Sequence, residues 1–102
     1  MKNSVGVVIP VFNRQNLVIR ALESVLHQTV KPAELIVVDN NSTDSSYETV
    51  KSWMEKNQDC GIRFKLLKEE RRGACNARQK GLENTDSEYI IFFDSDDEML
   101  PD

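Results

Sequence analysis

The chain has 102 residues, which allows one small domain. Hydrophobic residues make up 39% of it and charged residues 29%, a balance typical of globular rather than disordered proteins. The formal net charge of −4 provides no basic excess to neutralise phosphates, so nucleic acid is not expected as a partner. Two scattered cysteines and a single histidine disfavour a zinc site and suit a reducing compartment.

The apolar runs are too short for membrane insertion. The longest, Val5 to Phe12, is interrupted by Gly6 and Pro10, whereas about 20 residues are needed to cross a bilayer. No small-residue cleavage pattern follows it, so it does not fit a secretory signal. The sequence therefore predicts a cytoplasmic protein, with membrane association through a longer parent chain left open.

Strand and helix patterns alternate in the first half of the chain. The apolar runs Val5 to Pro10 and Glu34 to Val38 predict two strands. A helical stripe between them consists of Val18, Ala21, Leu22, Val25 and Leu26. A second helical face follows, with Tyr47, Val50, Trp53 and Met54. Ser45 and Glu48 have the spacing of a capping box, which predicts that their side chains begin this second helix.

The second half continues the alternation. Arg63 to Leu67 and Tyr89 to Phe93 predict two more strands, with a helix from about Ala74 to Glu83 between them. The inner face of this helix is small, so it is expected to pack close to the sheet; it consists of Ala74, Ala77 and Gly81. The first, second and fourth strands are nearly all apolar, as strands covered on both faces are. The order β-α-β-α-β-α-β therefore predicts a Rossmann-like three-layer α/β/α domain with a mostly parallel sheet.

Polar segments follow the predicted strands, and ligands of parallel sheets bind beyond the carboxyl ends of strands. The segments are Pro10 to Arg14, Asp39 to Asp44, Lys68 to Gly73 and Asp94 to Glu98. The last one holds four carboxylates within five positions, and such charges repel each other unless a cation or solvent relieves them. Carboxylates select hard ions such as Mg²⁺ or Mn²⁺, which can neutralise a departing diphosphate. A solvated acidic turn is the alternative.

The other segments offer candidates that also have structural explanations. Asp39 ends a buried strand, where its carboxylate can accept a hydrogen bond from a ring imide N–H such as that of uracil. Phe12 can stack on a base or belong to the edge of the core. Arginines of the third segment and of the predicted helix after it can bind phosphate or a base carbonyl, or can pair with Glu69 and Glu70; they are Arg71, Arg72 and Arg78. Turn and cap roles fit Asn41, Ser42 and Asp44 at least as well as ligand roles.

Taken together, these segments resemble the start of family 2 glycosyltransferases, which are inverting enzymes with the GT-A fold. The motifs that carry the resemblance stand in order along essentially the whole chain: V-I-P-V-F-N-R, S-V-L-H-Q-T, L-I-V-V-D-N-N-S-T-D, G-A-C-N-A-R-Q-K-G-L and I-I-F-F-D-S-D-D. The resemblance implies the N-terminal half of a GT-A fold and a nucleotide-sugar donor, commonly a UDP-sugar. It also implies a divalent metal, Mg²⁺ or Mn²⁺, and a saccharide or lipid-linked acceptor of the kind used in cell-envelope polysaccharide synthesis.

The resemblance also implies roles for particular residues. Pro10 and Phe12 would lie by the base, and Asp39 would bind the uracil ring. Arg72 and Arg78 would contact base or phosphate.

The D-x-D motif of the family matches Asp94-Ser95-Asp96. Asp94 would lie near the ribose and the metal, Ser95 would contact the donor, and Asp96 would be the metal ligand. Asp97 is a neighbour with a less fixed role. The chain departs from the family's frequent A-R-N-x-G at Gln79, which keeps the amide and lengthens it.

The chain ends at Asp102, soon after the D-x-D motif. In the family the acceptor site and the catalytic base lie further on, so no residue here is assigned as the base. Residues 1–102 are interpreted as one nucleotide-sugar-binding subdomain, truncated after the motif and inactive in transfer on its own. Acceptor-dependent turnover of a radiolabelled UDP-sugar by this chain would contradict that expectation. The last strand would then expose an apolar edge, which predicts self-association.

Two other classes of protein are weaker alternatives. A nucleotidyltransferase would share the architecture and the metal, but it would want a glycine-rich loop where the chain has Val11-Phe12-Asn13-Arg14. A non-catalytic regulatory α/β module would draw its acidic residues from the ends of early strands, unlike Asp39 and Asp94. The sequence also lacks the dinucleotide fingerprint, the P-loop and the nucleophile elbow.

Overall fold

The computed structural model describes residues 5–12, 18–27, 32–71, 73–85 and 87–92. Its helices and strands follow the predicted order, and the strand bounds agree with the prediction to within one residue. In chain order they are β1 (Val5–Val11), α1 (Val18–Leu26), β2 (Glu34–Asp39), α2 (Ser46–Lys56), β3 (Arg63–Lys68), α3 (Ala74–Glu83) and β4 (Tyr89–Phe92). A single 3-10 turn, Gln58–Cys60, lies between α2 and β3.

The four strands form one parallel sheet in the order β3-β2-β1-β4. The chain first steps outwards from β1 to β3 and then crosses back to place β4 on the other side of β1. In open α/β sheets, ligands bind where the strand order reverses in this way. The reversal point here lies between β1 and β4, at the carboxyl ends of the strands.

Helices cover both faces of the sheet, which confirms the three-layer arrangement. Alternate residues of β1 and β2 point to opposite faces, as extended strands require. One face packs against α1 and α2. The core between this face and the two helices contains the buried residues Val7, Ile9, Val11, Val18, Leu22, Val25, Leu35, Val37, Val50, Trp53, Met54 and Ile62. The other face packs against α3; its buried residues are Val8, Ile36, Val38 and Ala77.

Helix α3 approaches the sheet closely at Gly81, as its small inner face predicts. A Cβ atom at Gly81 would lie 2.5 Å from Cγ1 of Val8, well inside van der Waals contact. Ala77 on the same face is fully buried, whereas the side chain of Ala74 lies outside the described part of the chain. Hydrogen is therefore the only substituent that fits at Gly81 without a shift of the helix or of β1.

Pro10 does not end β1, which runs one residue further to Val11. The carbonyl of Val11 accepts a hydrogen bond from Asn40, so Val11 points its backbone groups towards β2. Successive residues of a strand alternate in this direction, and the nitrogen of Pro10 therefore faces the β4 side. The missing N–H of Pro10 therefore lies on the side away from β2 and leaves the β1–β2 ladder intact. In the described residues β4 pairs with β1 only as far as Val8, so the β1–β4 ladder does not use this position either.

One sequence prediction about local structure is wrong. Ser45 makes no side-chain cap for α2; instead Oδ1 of Asp44 accepts hydrogen bonds from the backbone N–H (2.9 Å) and hydroxyl (2.5 Å) of Ser46. The backbone of Ser45, at φ −90° and ψ 22°, is outside the extended conformation that a cap residue normally adopts. The apolar run of β4 is typical of a strand covered on both faces, but Tyr89, Ile91 and Phe92 are exposed, as expected where the last strand forms an apolar edge of the described sheet.

The amino end of the sheet contains a buried carboxylate that its apolar strand did not suggest. Glu34 is fully buried, and its Oε2 accepts a hydrogen bond of 3.0 Å from Nη2 of Arg63. The hydroxyl of Thr85 donates to Oε1 of the same side chain. A buried charge needs such partners, so this cluster ties β2, β3 and the segment before β4 together.

None of the described helices is long and apolar enough to cross a bilayer.

Candidate functional site

The carboxyl ends of β1, β2 and β3 lie side by side. Val11, Asp39 and Lys68 are aligned across the three strands. Two backbone hydrogen bonds continue the ladder beyond them, from Asn40 N–H to Val11 O at 2.7 Å and from Glu69 N–H to Asp39 O at 2.9 Å. The structure therefore brings together three of the polar segments that the sequence analysis selected.

Asp39 carries an unused acceptor at this edge. The residue is only 3% exposed, and its Oδ2 accepts a hydrogen bond of 3.2 Å from the backbone N–H of Ser42. Its Oδ1 is buried without a hydrogen-bond partner. An unsatisfied buried acceptor costs about 1–3 kcal/mol, so such atoms in a folded protein call for an explanation.

Within the described ranges, one other buried side-chain atom lacks a partner, Oγ of Ser87. Ser87 lies beside Gly6, near the amino ends of the strands. Ligands of parallel sheets approach from the carboxyl ends. Position therefore singles out Asp39, and not Ser87, as the candidate for ligand binding.

The turn after β2 is built by residues with local structural roles. Asn41 adopts a left-handed backbone conformation with φ 61°, which asparagine tolerates better than most residues. Ser42 donates its N–H to Asp39, and Asp44 caps the start of α2. These contacts give Asn41, Ser42 and Asp44 the turn and cap functions that the sequence left open, and they hold the Asp39 carboxylate in place.

Arg71 is held by an ion pair with Glu69. Its Nε and backbone N–H both donate to Oε2 at 3.0 Å, and Nη2 donates to Oε1 at 2.9 Å. These hydrogen bonds, that of the Arg71 side chain first, lower the pKa of Glu69 from 4.5 to about 2. The pair favours the structural explanation of Arg71 over phosphate binding.

The Glu69–Arg71 pair predicts a specific acid sensitivity. Between its ordinary pKa and the lowered one, Glu69 binds a proton only in the unfolded chain, so stability rises with pH in this window. The contribution is complete above the ordinary pKa and is lost as the pH falls towards about 2. We expect Glu69→Gln to flatten the dependence of the unfolding free energy on pH in this range, as measured by urea titration. Glu70→Gln, at the exposed neighbouring position, is the control, and equal slopes for both variants would contradict the role of the pair.

Of the remaining predicted site residues, the structure describes Pro10, Phe12 and Arg78. Pro10 is half buried in β1, and Phe12 directly follows β1 with 44% of its surface exposed, so it is not a core residue. Arg78 is half buried in the second turn of α3. Arg72, Asp94, Ser95 and Asp96 lie outside the described residues, as does Asp97. Within the described part of the chain, no group of three or more His, Cys, Asp or Glu side chains could hold a metal ion.

Asn40 is a site residue that sequence analysis missed. Its side chain is 6% exposed and makes hydrogen bonds to backbone atoms of Glu69, Arg71 and Gly73. These partners lie 29 to 33 positions away in sequence. No local sequence pattern predicts a contact over this distance in the chain, although an asparagine directly after a strand-end aspartate could have drawn attention to Asn40.

The fold and this edge define the class of protein: a parallel α/β domain whose polar residues gather at the carboxyl ends of its strands, where ligands of such sheets generally bind. Residues 6–102 match glycosyl transferase family 2, and the chain belongs to that family. The expected N-terminal part of a GT-A fold is thereby confirmed.

Relatives and solved structures agree with this assignment. The chain is 35% identical over 95 residues to the GalNAc(5)-diNAcBac-PP-undecaprenol beta-1,3-glucosyltransferase of Campylobacter jejuni, covering 93% of the chain and 30% of that enzyme.

In structure it resembles S. aureus TarS 1-349 in complex with UDP, at TM-score 0.79 and 28% identity over 93% of this chain and 28% of that one. It also resembles the mannosyltransferase PcManGT from Pyrobaculum calidifontis in complex with GDP-Man and Mn²⁺, at TM-score 0.82 and 29% identity over 90% of this chain and 27% of that one. The chain thus spans less than a third of the length of these proteins.

Proposed function

We propose that the chain is the donor-binding part of an inverting glycosyltransferase, and that it binds the nucleoside diphosphate of a UDP-sugar at the carboxyl edge of its sheet. The observation that carries this proposal is the buried, unpartnered Oδ1 of Asp39. Uracil presents an imide N–H, which is the donor that this oxygen lacks. Family membership and a UDP complex of a structural relative support the same choice.

The other site residues follow from this placement of the base. Pro10, which lies next to the end of β1, and the exposed Phe12, which directly follows β1, would border the uracil ring. Arg72 and Arg78 would contact base or phosphate, since a guanidinium pairs strongly with phosphate oxygens. Asp94 and Ser95 would contact the donor near its ribose. In sequence, Asp94 follows the last residue of β4 by two positions, and β4 lies next to the reversal point of the sheet.

We propose a divalent metal, Mg²⁺ or Mn²⁺, bound by Asp96 with Asp94. Carboxylate oxygens are the donors that these hard ions select. The ion supplies charge neutralisation for the diphosphate leaving group. A structural relative in complex with GDP-Man and Mn²⁺ supports a divalent metal in this family.

In the whole enzyme the acceptor would be a saccharide or a lipid-linked molecule in the cytoplasm, which fits the undecaprenol-linked substrate named for the Campylobacter relative. Membrane association through the rest of the enzyme would fit such an acceptor, and nucleic acid is not expected as a partner. We assign no catalytic base within these 102 residues.

The nucleotide preference can be tested by titration calorimetry of the purified chain. We expect UDP to bind with one-to-one stoichiometry, more tightly with Mn²⁺ than without it, and more tightly than CDP, whose base has no imide N–H. Preference for CTP or ATP would support a nucleotidyltransferase instead. Preference for GDP, whose base also has a ring N–H, would change the donor class. Absence of nucleotide binding would support a regulatory module and contradict the proposal.

We also propose self-association through β4. Tyr89 is 56% exposed, Ile91 46% and Phe92 44%, and β4 is an edge of the described sheet. Such an apolar edge favours pairing between chains. We expect light scattering to show a mass that increases with concentration, and Ile91→Lys to suppress the increase. Leu82→Lys, at an exposed position on α3, is the control. A monomer at high concentration would contradict this proposal.

A further inference from the structure

The side chain of Asn40 bridges two parts of the chain that are distant in sequence. Its Nδ2 donates hydrogen bonds to the carbonyl oxygens of Glu69 at 3.2 Å and Arg71 at 2.8 Å. Its Oδ1 accepts a hydrogen bond of 3.0 Å from the backbone N–H of Gly73. Both amide hydrogens and the carbonyl oxygen are therefore used in a side chain that is 6% exposed.

These three contacts lie on both sides of one position in the loop between β3 and α3. Arg71 and Gly73 are the chain neighbours of Arg72, and one buried amide holds both of them. Gly73 has φ 112°, a backbone conformation that favours glycine, and its carbonyl accepts the first hydrogen bonds of α3 from Asn76 and Ala77. Asn40 therefore holds the residue at which the loop ends and α3 begins.

Asn40 is also the residue next to Asp39. Its backbone N–H donates to Val11 O, while Asp39 O accepts from Glu69 N–H, so the ends of β1, β2 and β3 are joined at these two residues. Consecutive residues of an extended chain point to opposite sides. Asp39 thus presents the oxygen that is free for a ligand, and Asn40 holds the loop between β3 and α3.

We propose that Asn40 is a positioning residue of the donor site, which holds the β3–α3 loop so that it can contact the diphosphate while Asp39 binds the base. This inference rests on the proposed function. Asn40 does not touch the nucleotide in this account, since all its polar hydrogen atoms and its oxygen are used within the protein. Its effect on binding passes through the loop, and it therefore concerns the phosphate part of the ligand more than the base.

The test compares UDP with uridine, which keeps the base and lacks the diphosphate. For Asn40→Ala we expect the UDP affinity to fall by roughly tenfold or more, the value of one charge-assisted hydrogen bond to phosphate, while uridine affinity changes by less than about threefold. Hydrogen exchange of the Gly73 amide should become faster in the same variant, because its acceptor is removed.

Asn84→Ala is the matched control. Asn84 also donates a side-chain hydrogen bond to a backbone carbonyl, Lys80 O at 2.8 Å, but it lies at the opposite end of α3. We expect this variant to keep both affinities. If Asn40→Ala does not fold, Asn40→Asp keeps the shape and the acceptor for Gly73 but turns an oxygen towards two carbonyls, and we expect the same split between UDP and uridine.

The outcomes separate this inference from the proposed function. A UDP affinity that is unchanged in Asn40→Ala, or that falls together with uridine affinity by the same factor, would overturn the positioning role while leaving the proposed function intact. An unsubstituted chain that binds neither UDP nor uridine would overturn the proposed function and this role with it.

Discussion

Asp39→Asn is expected to weaken UDP binding by roughly 10- to 100-fold, because a paired donor and acceptor become two facing donors in a buried site. Asparagine is nearly the same size as aspartate, and its side-chain oxygen can keep the hydrogen bond from Ser42 N–H that Oδ2 now accepts. The amide NH₂ group then occupies the place of the unpartnered Oδ1. It would point a donor at the imide N–H of uracil.

The same substitution should shift the base preference. Cytosine has a ring nitrogen that accepts a hydrogen bond where uracil has its imide N–H, so the ratio of CDP to UDP affinity should rise in Asp39→Asn. Calorimetry with both nucleotides measures this ratio. Asp59→Asn, in the exposed 3-10 turn, has the same change of charge and is the control. Equal UDP affinity in Asp39→Asn and the unsubstituted chain would remove Asp39 from the site.

Gly81→Val is expected to destabilise the fold by about 3 kcal/mol, at the upper end of the usual cost of overpacking a core. The added Cβ would lie 2.5 Å from Cγ1 of Val8 and 3.2 Å from its Cγ2, and Val8 is fully buried in β1, one of the two inner strands of the described sheet. Neither side chain can move into solvent, so α3 has to shift away from the sheet. The unfolding free energy from urea titration measures the loss.

A double-mutant cycle shows whether the steric contact causes this effect. Val8→Ala should cost stability alone, by leaving a cavity, but should recover part of the loss when combined with Gly81→Val. Gly61 supplies the control. It has φ +88° and nothing within 4 Å of an added Cβ, so Gly61→Ala should cost about 1 kcal/mol through its backbone alone. Additive effects of the Val8 and Gly81 substitutions would contradict the proposed contact.

The sequence predicts elements whose signal is local. Apolar runs define β1 and β2 because a strand between two helical layers buries both of its faces. The helical stripe from Val18 to Leu26 defines α1 for a similar reason, since spacing alone shows which side faces the core. Small residues at Ala77 and Gly81 predict the close packing of α3, which the distance to Val8 confirms.

Two features of the structure depend on alternatives between which the sequence alone does not choose. Ser45 and Asp44 can both cap α2, and the conformation of the chain at Ser45 decides in favour of Asp44. The apolar pattern of β4 resembles that of β1, but its position at the edge leaves Tyr89 and Ile91 exposed. A sequence run reports that a strand can be buried, and not which neighbours cover it.

Some features of the candidate site can be predicted from the sequence, and others appear only in the folded chain. Asp39 can be selected from sequence because it ends a buried apolar strand, where an acidic residue has no packing function. The unused oxygen that makes it a candidate appears only in three dimensions. Arg71 has the composition of a phosphate-binding residue, but its ion pair with Glu69 becomes visible only in the folded loop. Asn40 depends entirely on contacts across about 30 positions.

The central claim is that UDP binds at the carboxyl edge of the sheet, with its base on Asp39. The most direct test is a UDP titration of the isotope-labelled chain in the presence of Mg²⁺, followed through backbone amide resonances. We expect the largest shifts at Phe12, Asn40 to Ser42 and Gly73, and smaller shifts at the same UDP concentration in Asp39→Asn. Shifts confined to the groove of about 600 Å³ between α1 and α2, where Glu23 and Trp53 meet, would contradict it, as would no shifts at all.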